Sequence, residues 1–443
     1  MFHNILIANR GESAVRIIRA CRELGIHTIS VYSQLDRISP HVRLADESVC
    51  VGADESKNSY LNALNILSAA RLKGAEAVHP GIGFFAEDDS FAQLCADSGI
   101  VYVGPSPRVI QTMGNKLSAK QYVKDLRVPV LPGTQSQITS VAEAERLASQ
   151  MGYPVIIKAA GGGGGKGMRV APTPEAFADM YLTCGLEAKN AFGNEELLIE
   201  KYVSRARHVE VQIMGDMFGN VVHLGDRECS VQSGKQKFIE EAPCGFIDQK
   251  LRRTLSNHAL VIARAVGYVG VGTVEFLVEP NGDFYFLEMN TRLQVEHTIT
   301  EMISGIDIVS EQIRIHAGEP LSVLQEDVTL HGHSIECRIC LSAANTGKQI
   351  QFRMLPCGFD VRCESGVMNG SPVVWRYDPL LLKVIVKARD RPRAIQKMKI
   401  ALDEVMMYGV KTNLAAHKET LQDEKYVSGD FGIIDFEDRF RYV

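Results

Sequence analysis

Residues 272–290 read Gly-Thr-Val-Glu-Phe-Leu-Val-Glu-Pro-Asn-Gly-Asp-Phe-Tyr-Phe-Leu-Glu-Met-Asn. Two alternating apolar runs flank Asn281-Gly282, the favoured two-residue turn of a β-hairpin. That turn makes Pro280 face Asp283 and sets Glu275 directly opposite Glu288. Side chains paired in this way have Cβ atoms about 4.5–5.5 Å apart, and two carboxylates there repel. A cation between them removes the conflict. The amide oxygen of Asn290, two residues along the same face, adds to an oxygen-rich partial shell that magnesium takes while nucleotide phosphates complete it. Such ions neutralise charge on both sides of a breaking phosphoryl bond. The parity continues through Glu288, Asn290, Arg292, Gln294 and Glu296, which an extended chain turns to one side. On that side Glu296 is a candidate base, and Arg292 is a candidate two-pronged holder of an anionic substrate. A solvated strand face gives the same alternation, so the hairpin needs a second signal.

That signal lies upstream. Val155-Ile156-Ile157-Lys158-Ala159-Ala160 is a buried-strand pattern leading into five consecutive glycines at 161–165, then Lys166 and Gly167. A backbone without Cβ atoms folds its N–H groups closely around phosphate oxygens. It is not a Walker A loop, because Ala160 and Gly167 stand where that motif needs glycine and a hydroxyl residue. A plain surface turn has no need of five glycines, each costing about 0.5–1 kcal/mol relative to alanine. A mobile flap closing over a triphosphate does. Lys158, just before the flap, and Lys116, after Met113-Gly114-Asn115, are candidate phosphate ligands.

The elements that must carry these groups follow from periodicity. Apolar strand patterns at 4–8, 28–32, 77–79 and 101–104 alternate with helical patterns at 13–24, 60–73 and 89–97, the mark of a parallel sheet with crossover helices. No GxGxxG follows the first strand, so a dinucleotide site is unsupported. One helix is expected over 107–124 and an amphipathic helix near 393–407. The expected fold is α/β and α+β and multidomain. It comprises a Rossmann-like domain at 1–114, a central region at 115–329 with a mobile lid at about 130–203, and an α+β domain at 330–443.

At 443 residues the chain exceeds one ordinary core. Its net charge of −5, without a long basic block, argues against nucleic acid as a partner. The opening apolar run is too short for a signal peptide or a membrane span, so a cytoplasmic protein is expected. Ten scattered cysteines read as reduced thiols in the core. Cys337 and Cys340 form a CxxC pair, but no second pair supports a zinc site.

With Lys116, Lys158, the glycine flap, Glu275, Glu288 and Asn290 in view, the chain resembles the ATP-grasp superfamily, whose two α+β lobes hold ATP between them. The resemblance narrows on Ile7-Ala8-Asn9-Arg10-Gly11-Glu12, His79-Pro80-Gly81, Glu200-Lys201-Tyr202, Arg207-His208-Val209-Glu210, Glu240-Glu241-Ala242-Pro243, the run 288–297 and Glu336-Cys337-Arg338. Together these look like biotin carboxylase over essentially the whole chain. The run Glu-Met-Asn-Thr-Arg-Leu-Gln-Val-Glu-His is highly specific to biotin-dependent carboxylases and their closest relatives.

The resemblance implies an ATP-dependent ligase. Bicarbonate attacks the γ-phosphate of ATP to give carboxyphosphate, whose carboxyl group passes to a ureido nitrogen of biotin. Carried onto this sequence, Glu296 is the base, and Lys237, Arg292, Gln294 and Val295 join it around bicarbonate. Arg338 stabilises the biotin enolate. Glu275, Glu288 and Asn290 hold magnesium or manganese. Lys116, Lys158, Gly163, Gly164, Gly165, Glu200, Lys201, Val203, His208 and Gln232 line the ATP site. With no biotinyl or transferase segment in the sequence, a separate biotin carboxyl carrier protein and separate carboxyltransferase subunits are expected, as in the first half-reaction of acetyl-CoA carboxylase in fatty acid synthesis. A pyruvate or other acyl-CoA carboxylase uses the same half-reaction. A noncatalytic regulatory ATP-binding subunit has no need of the base. Arg19, Glu23 and Phe359 stand at dimer-interface positions of the family, which implies a homodimer.

The sequence departs from the family pattern at four places. Ile82 replaces a tyrosine, Lys235 a histidine and Leu382 a glycine, and the loop after Asn345-Thr346 is about four residues short. Ile82 and the short loop belong to the biotin and bicarbonate end. Isoleucine lacks the tyrosine's hydroxyl and aromatic face, and a shorter loop offers fewer contacts. The chain is therefore expected to use free biotin poorly and to recover efficiency with its own biotinylated carrier, whose surface adds binding energy. Carboxylation rates on the two acceptors decide this, and free biotin used as fast as the carrier rules it out.

Overall fold

The computed structural model describes residues 1–134, 138, 140–159, 168–192, 196–234, 236–342, 349–372 and 376–440, with backbone alone at 191 and 192. The glycine run with Gly163, Gly164, Gly165 and Lys166, together with Lys235, Asn345, Thr346, Gly347 and Lys348, lies outside them.

The N-terminal strands Asn4–Ile7, His27–Ser33, Glu47–Gly52, Ala77–His79 and Val101–Tyr102 form one parallel sheet with Asn4–Ile7 at its centre. The two faces of that central strand serve different layers, as the period of two requires. Leu6 and Ala8 pack with Ile66, Ala70 and Phe91 from the helices Ala63–Leu72 and Asp89–Asp97. Ile5 and Ile7 pack with Ile17 and Ile18 of helix Gly11–Glu23 and with Met214, Val271 and Ile313 of the central region. A strand covered on both sides reads as an unbroken apolar run.

The helix expected over 107–124 is two helices, Pro107–Gly114 and Lys116–Asp125. Between them Asn115 is extended, and its Oδ1 accepts from the N–H groups of Leu117 and Ser118 at 3.1 and 3.0 Å. This N-cap starts a new helix and puts Lys116 at its first position.

The central and C-terminal parts share an eight-stranded antiparallel sheet. Its order is Phe284–Asn290, Gly270–Val278, Arg207–Gly215, Val221–Ser233, Gln236–Ala242, His333–Cys340, Leu380–Ala388 and Val361–Ser365. The sheet runs without interruption past residue 330, because Gln236–Ala242 pairs with His333–Cys340. Alternation along it sends apolar residues toward helices Gln249–Val266 and Arg391–Glu404, and charged ones toward the opposite face. A three-stranded antiparallel sheet, Met168–Ala171, Val155–Ala159 and Leu197–Lys201, carries helices Val141–Met151 and Pro174–Phe192 as a separate small core.

The acidic hairpin differs from expectation at its turn. Glu279 N–H donates to Asp283 at 2.7 Å and Gly282 N–H to Glu279 at 2.9 Å, closing a three-residue loop with Gly282 at φ 89°. Pro280 therefore does not face Asp283; Val278 faces Phe284 instead. A left-handed glycine ends this kind of loop without a Cβ penalty. A bulge between the Phe276↔Phe286 and Glu275↔Glu288 pairs then skips Leu287 and restores the expected pairing of the carboxylates.

The free cysteines include buried Cys337 and Cys340, side by side with apolar residues on a core strand. Among the described residues no helix is long and apolar enough to cross a membrane.

The C-terminal part closes onto the N-terminal one at Gly366, where a Cβ would lie 2.3 Å from the Glu12 nitrogen and 2.6 Å from the Gly11 carbonyl carbon. Gly366→Ala is expected to destabilise the chain by about 1–3 kcal/mol, the range for forced overpacking. A lower urea midpoint at unchanged secondary structure measures it; an unchanged midpoint contradicts the close approach.

Candidate active site

The charged face of the long sheet carries one connected cluster. Lys237, buried on Gln236–Ala242, places its ammonium 2.5 Å from Glu210 Oε2, 2.8 Å from Glu275 Oε1 and 2.8 Å from Glu296 Oε1. An ammonium has three N–H donors, and each has a carboxylate. Burial alone would lower the Lys237 pKa, but these three glutamates raise it well above the ordinary lysine value.

Glu296 stands at the N-terminus of helix His297–Ser304 and is fully buried. Its second oxygen accepts from Arg338 at 2.8 Å. Burial would raise its pKa; Lys237, Arg338 and Arg227 overcome that and hold it well below the usual carboxylate range. Glu296 is thus ionised at neutral pH, the state a base requires. Arg338 also lies 2.5 Å from Glu240, whose pKa burial and the neighbouring carboxylates Glu336 and Glu296 push up despite the arginine.

The segment after strand Phe284–Asn290 is not extended, yet its even-numbered side chains still converge. Arg292 donates to Asn290 Oδ1 and Gln294 Oε1, each at 3.2 Å, and Gln294 donates to Glu275 at 3.3 Å. Glu87, from the N-terminal domain, receives Arg292 Nε at 2.9 Å and Thr291 N–H at 3.1 Å. The Val295 side chain makes no hydrogen bond, but its carbonyl accepts from Lys383 at 2.8 Å.

Glu275 and Glu288 are directly opposite in register, but their carboxylates part company. Glu275 turns to Lys237, to His208 at 2.8 Å and to Asn290 Nδ2 at 2.8 Å. Burial would raise its pKa; Lys237 and His208 hold it below the usual range. Glu288 is half-exposed, 3.9 Å from the Lys116 ammonium. Among the described residues, the groups close enough to share a cation are His208, Glu210 and Glu275, and Glu210, Cys229 and Glu296; neither includes Glu288. The donor chemistry still suits magnesium or manganese: two carboxylates on adjacent strands with the Asn290 carbonyl oxygen beside them are all hard oxygen ligands, and two cationic side chains already balance Glu275.

Toward the lid, Lys158 donates to Glu200 at 2.5 Å, and Lys120 pairs with the other oxygen of the same carboxylate. Lys201, one residue on, points to the other side of its strand and bonds the Gly152 and Tyr153 carbonyls at 2.8 and 3.2 Å, so its ammonium does not join this group. Val203 follows in the connection to Arg207–Gly215, half-buried. Gln232 reaches His208 at 3.5 Å, and burial, outweighed by Glu275, leaves the His208 pKa raised.

Sequence reasoning gives no site role to Arg227, Glu87, Lys120 or Lys383, and Glu210 and Glu240 enter it only within motifs of the resemblance. Glu210 shares the parity of His208 on one strand and was open to the argument used for the hairpin. Arg227 is fully buried and donates to Glu210, Gln212, Thr273 and Thr300 at 2.5 to 3.0 Å. Glu87 reaches Arg292 from 205 residues away, with no local pattern to announce it.

Three family descriptions match the chain: "Biotin carboxylase, N-terminal domain" over residues 1–110, "Carbamoyl-phosphate synthase L chain, ATP binding domain" over 115–324, and "Biotin carboxylase C-terminal domain" over 336–436. Biotin carboxylase 1 of Bacillus subtilis is 47% identical over 439 residues, covering 97% of each chain. A pyruvate carboxylase subunit of Methanothermobacter thermautotrophicus is 46% identical over 436 residues, covering 97% of this chain and 88% of that one. A biotin carboxylase–nucleotide complex from Campylobacter jejuni superposes with a TM-score of 0.94 at 42% identity, covering 98% of both chains. The dimeric biotin carboxylase domain of Hydrogenobacter thermophilus 2-oxoglutarate carboxylase, crystallised with MgADP, ADP and bicarbonate, gives 0.95 at 41%, covering 99% of this chain and 98% of that one.

If Glu275 and Glu288 hold one ion between them, Glu275→Gln or Glu288→Gln raises the magnesium concentration needed for half-maximal ATP cleavage. The double variant is then little worse than either single one, because the pair acts as a unit. Magnesium titrations of the three variants test this, and additive losses argue for separate roles.

Proposed function

The chain belongs to the biotin carboxylase family, and from that premise we propose which residues carry out its reaction. The enzyme is an ATP-dependent ligase that carboxylates biotin with bicarbonate. One observation carries the residue assignment: Lys237 bridges Glu296 and Glu275, so the candidate base and the candidate ion-binding carboxylate share one buried cation.

Bicarbonate enters between Arg292 and Lys237, with Gln294 and the Val295 backbone beside it. Arg292 is held by Glu87, Asn290 and Gln294 with its guanidinium already oriented, which lowers the entropy lost on binding the anion. Since every Lys237 donor is in use, the anion gains its bond to Lys237 by exchange with one of the carboxylates. Weakening the Lys237 contact leaves Glu296 more basic when the substrate is present. Glu296 then accepts the bicarbonate proton as a bicarbonate oxygen attacks the γ-phosphorus. The bond from phosphorus to the ADP oxygen breaks, giving carboxyphosphate and ADP. Lys116 and Lys158 face the phosphates, His208, Gln232, Glu200, Val203 and the backbone of Lys201 line the rest of the nucleotide site, and Gly163, Gly164 and Gly165 keep the phosphate-binding role that the resemblance implies. Magnesium or manganese at Glu275, Glu288 and Asn290, when bound, neutralises phosphate charge. Arg338 keeps Glu296 in place and stabilises negative charge on the ureido oxygen of biotin while its nitrogen takes the carboxyl group; the bond between that carboxyl group and the phosphate breaks, and the released phosphate takes the ureido N–H proton.

Biotin arrives on a separate carrier protein, and the product passes to carboxyltransferase subunits. We assign the chain to an acetyl-CoA carboxylase system in malonyl-CoA synthesis, supported by the bacterial and chloroplastic relatives named biotin carboxylase; the pyruvate carboxylase relative keeps a pyruvate system as the second reading. A homodimer is supported by the dimeric 2-oxoglutarate carboxylase domain and by Phe359, which is 88% exposed. We place the enzyme in the cytoplasm and divide it at 114 and 329.

Glu296→Ala is expected to lower bicarbonate-dependent ATP cleavage roughly a hundredfold or more while leaving nucleotide affinity within a fewfold. Steady-state rates with a nucleotide-binding titration measure both. A matching loss of nucleotide affinity assigns Glu296 to the wrong step.

A further inference from the structure

The residue before the base has its carbonyl held by a lysine that the reaction so far does not use. Lys383 lies in Leu-Leu-Leu-Lys-Val-Ile-Val-Lys-Ala, the strand Leu380–Ala388. Leu382, Val384 and Val386 enter the core beneath helix Arg391–Glu404, whereas Ile385 faces Ile299 and Ile303 of helix His297–Ser304. Lys383 shares that second face and is fully buried. Its ammonium donates to the Val295 carbonyl at 2.8 Å and lies 3.1 Å from Glu12 Oε1.

Its surroundings both oppose and support this placement. Arg338 is its partner on one adjacent strand and Glu364 on the other, and like charges paired across strands repel. A buried lysine loses its hydration, and a cation near the N-terminus of helix His297–Ser304 opposes the helix dipole. The carboxylates of Glu12, Glu336 and Glu364 offset these penalties and keep Lys383 charged, and the same ammonium reaches the Val295 carbonyl. Arg338 grips the Glu296 side chain and Lys383 grips the carbonyl preceding Glu296. A trans peptide is planar, so fixing the Val295 C=O toward the sheet turns the Glu296 N–H the opposite way. Two adjacent cations thus fix both the backbone and the carboxylate of one residue.

We propose that Lys383 is a positioning residue for the bicarbonate step: it holds the Val295–Glu296 peptide so that Glu296 and the Arg292–Gln294 segment keep their geometry when bicarbonate displaces part of the Lys237 contact. This rests on the reading of Glu296 as the base. Lys383→Met in the full chain is expected to raise the bicarbonate KM and lower kcat of ATP cleavage, each roughly tenfold, as for a lost hydrogen bond from a charged donor. The ATP KM stays within about twofold, while the urea midpoint falls because buried Glu12 loses its cation. Lys383→Arg regains part of the bicarbonate affinity. Lys383→Gln is the second variant, with the same expectation for bicarbonate. An unchanged bicarbonate KM in either folded variant overturns the proposal. So does a loss shared equally by stability and ATP affinity, or a failure of both variants to fold, since each assigns Lys383 to stability alone. A wild-type chain that cleaves ATP without regard to bicarbonate instead overturns the reading of Glu296 as base, and is recognised before any variant is compared.

Discussion

A buried ammonium with three carboxylates around it organises this molecule. Lys237 gives one N–H to each of Glu210, Glu275 and Glu296, residues from three separate stretches of chain. Ions removed from water are tolerated only when paired, and losing one partner leaves the others uncompensated. The cluster therefore extends until its charges balance: Arg227 to Glu210, Arg338 to Glu296 and Glu240, His208 to Glu275. The strands that carry these groups have to be neighbours in one sheet, which is why the central and C-terminal parts share it.

The same balance makes the site responsive. A base held far below the usual carboxylate range is ionised but weakly basic, and a cation with no spare donor binds a new anion only by giving up an old contact. In the proposed reaction, substrate entry and activation of the base are in this way one exchange. The groups surrounding Lys237 are held from outside: Glu87 aligns Arg292 from the N-terminal domain, and Lys383 fixes the backbone before Glu296 from the sheet below. The nucleotide end is arranged differently. Glu200 sits between Lys158 and Lys120 and orients both ammonium groups.

The hairpin shows how a correct pairing can follow from an incorrect turn. Expecting a two-residue loop shifts the register by one, and a bulge of one residue shifts it back before Glu275 is reached. The strand Gly270–Val278 pairs without a break along Arg207–Gly215 on its other edge, so the bulge falls on the partner strand Phe284–Asn290, a feature of strand pairing that local sequence does not encode. Likewise the break at Asn115 was legible in principle, since asparagine caps helices, but an apolar period running through it masked the cap.

The sequence by itself determined which chemistry to look for: an acidic hairpin, a glycine run between lysines and an even-numbered series ending in Glu296 read as a site for nucleotide and anion, because side-chain parity and glycine's missing Cβ are local properties. It also determined the alternation of strands and helices that builds the N-terminal sheet. Only the tertiary structure decided who holds whom. Lys383 reads as an odd charge in an apolar strand, Glu240 and Glu210 as polar strand residues, and Glu87 as a loop acid; each acquires its meaning from a partner tens to hundreds of residues away. Electrostatic pairing in a buried site acts through space and is fixed by strand order, and strand order is settled by packing the whole chain.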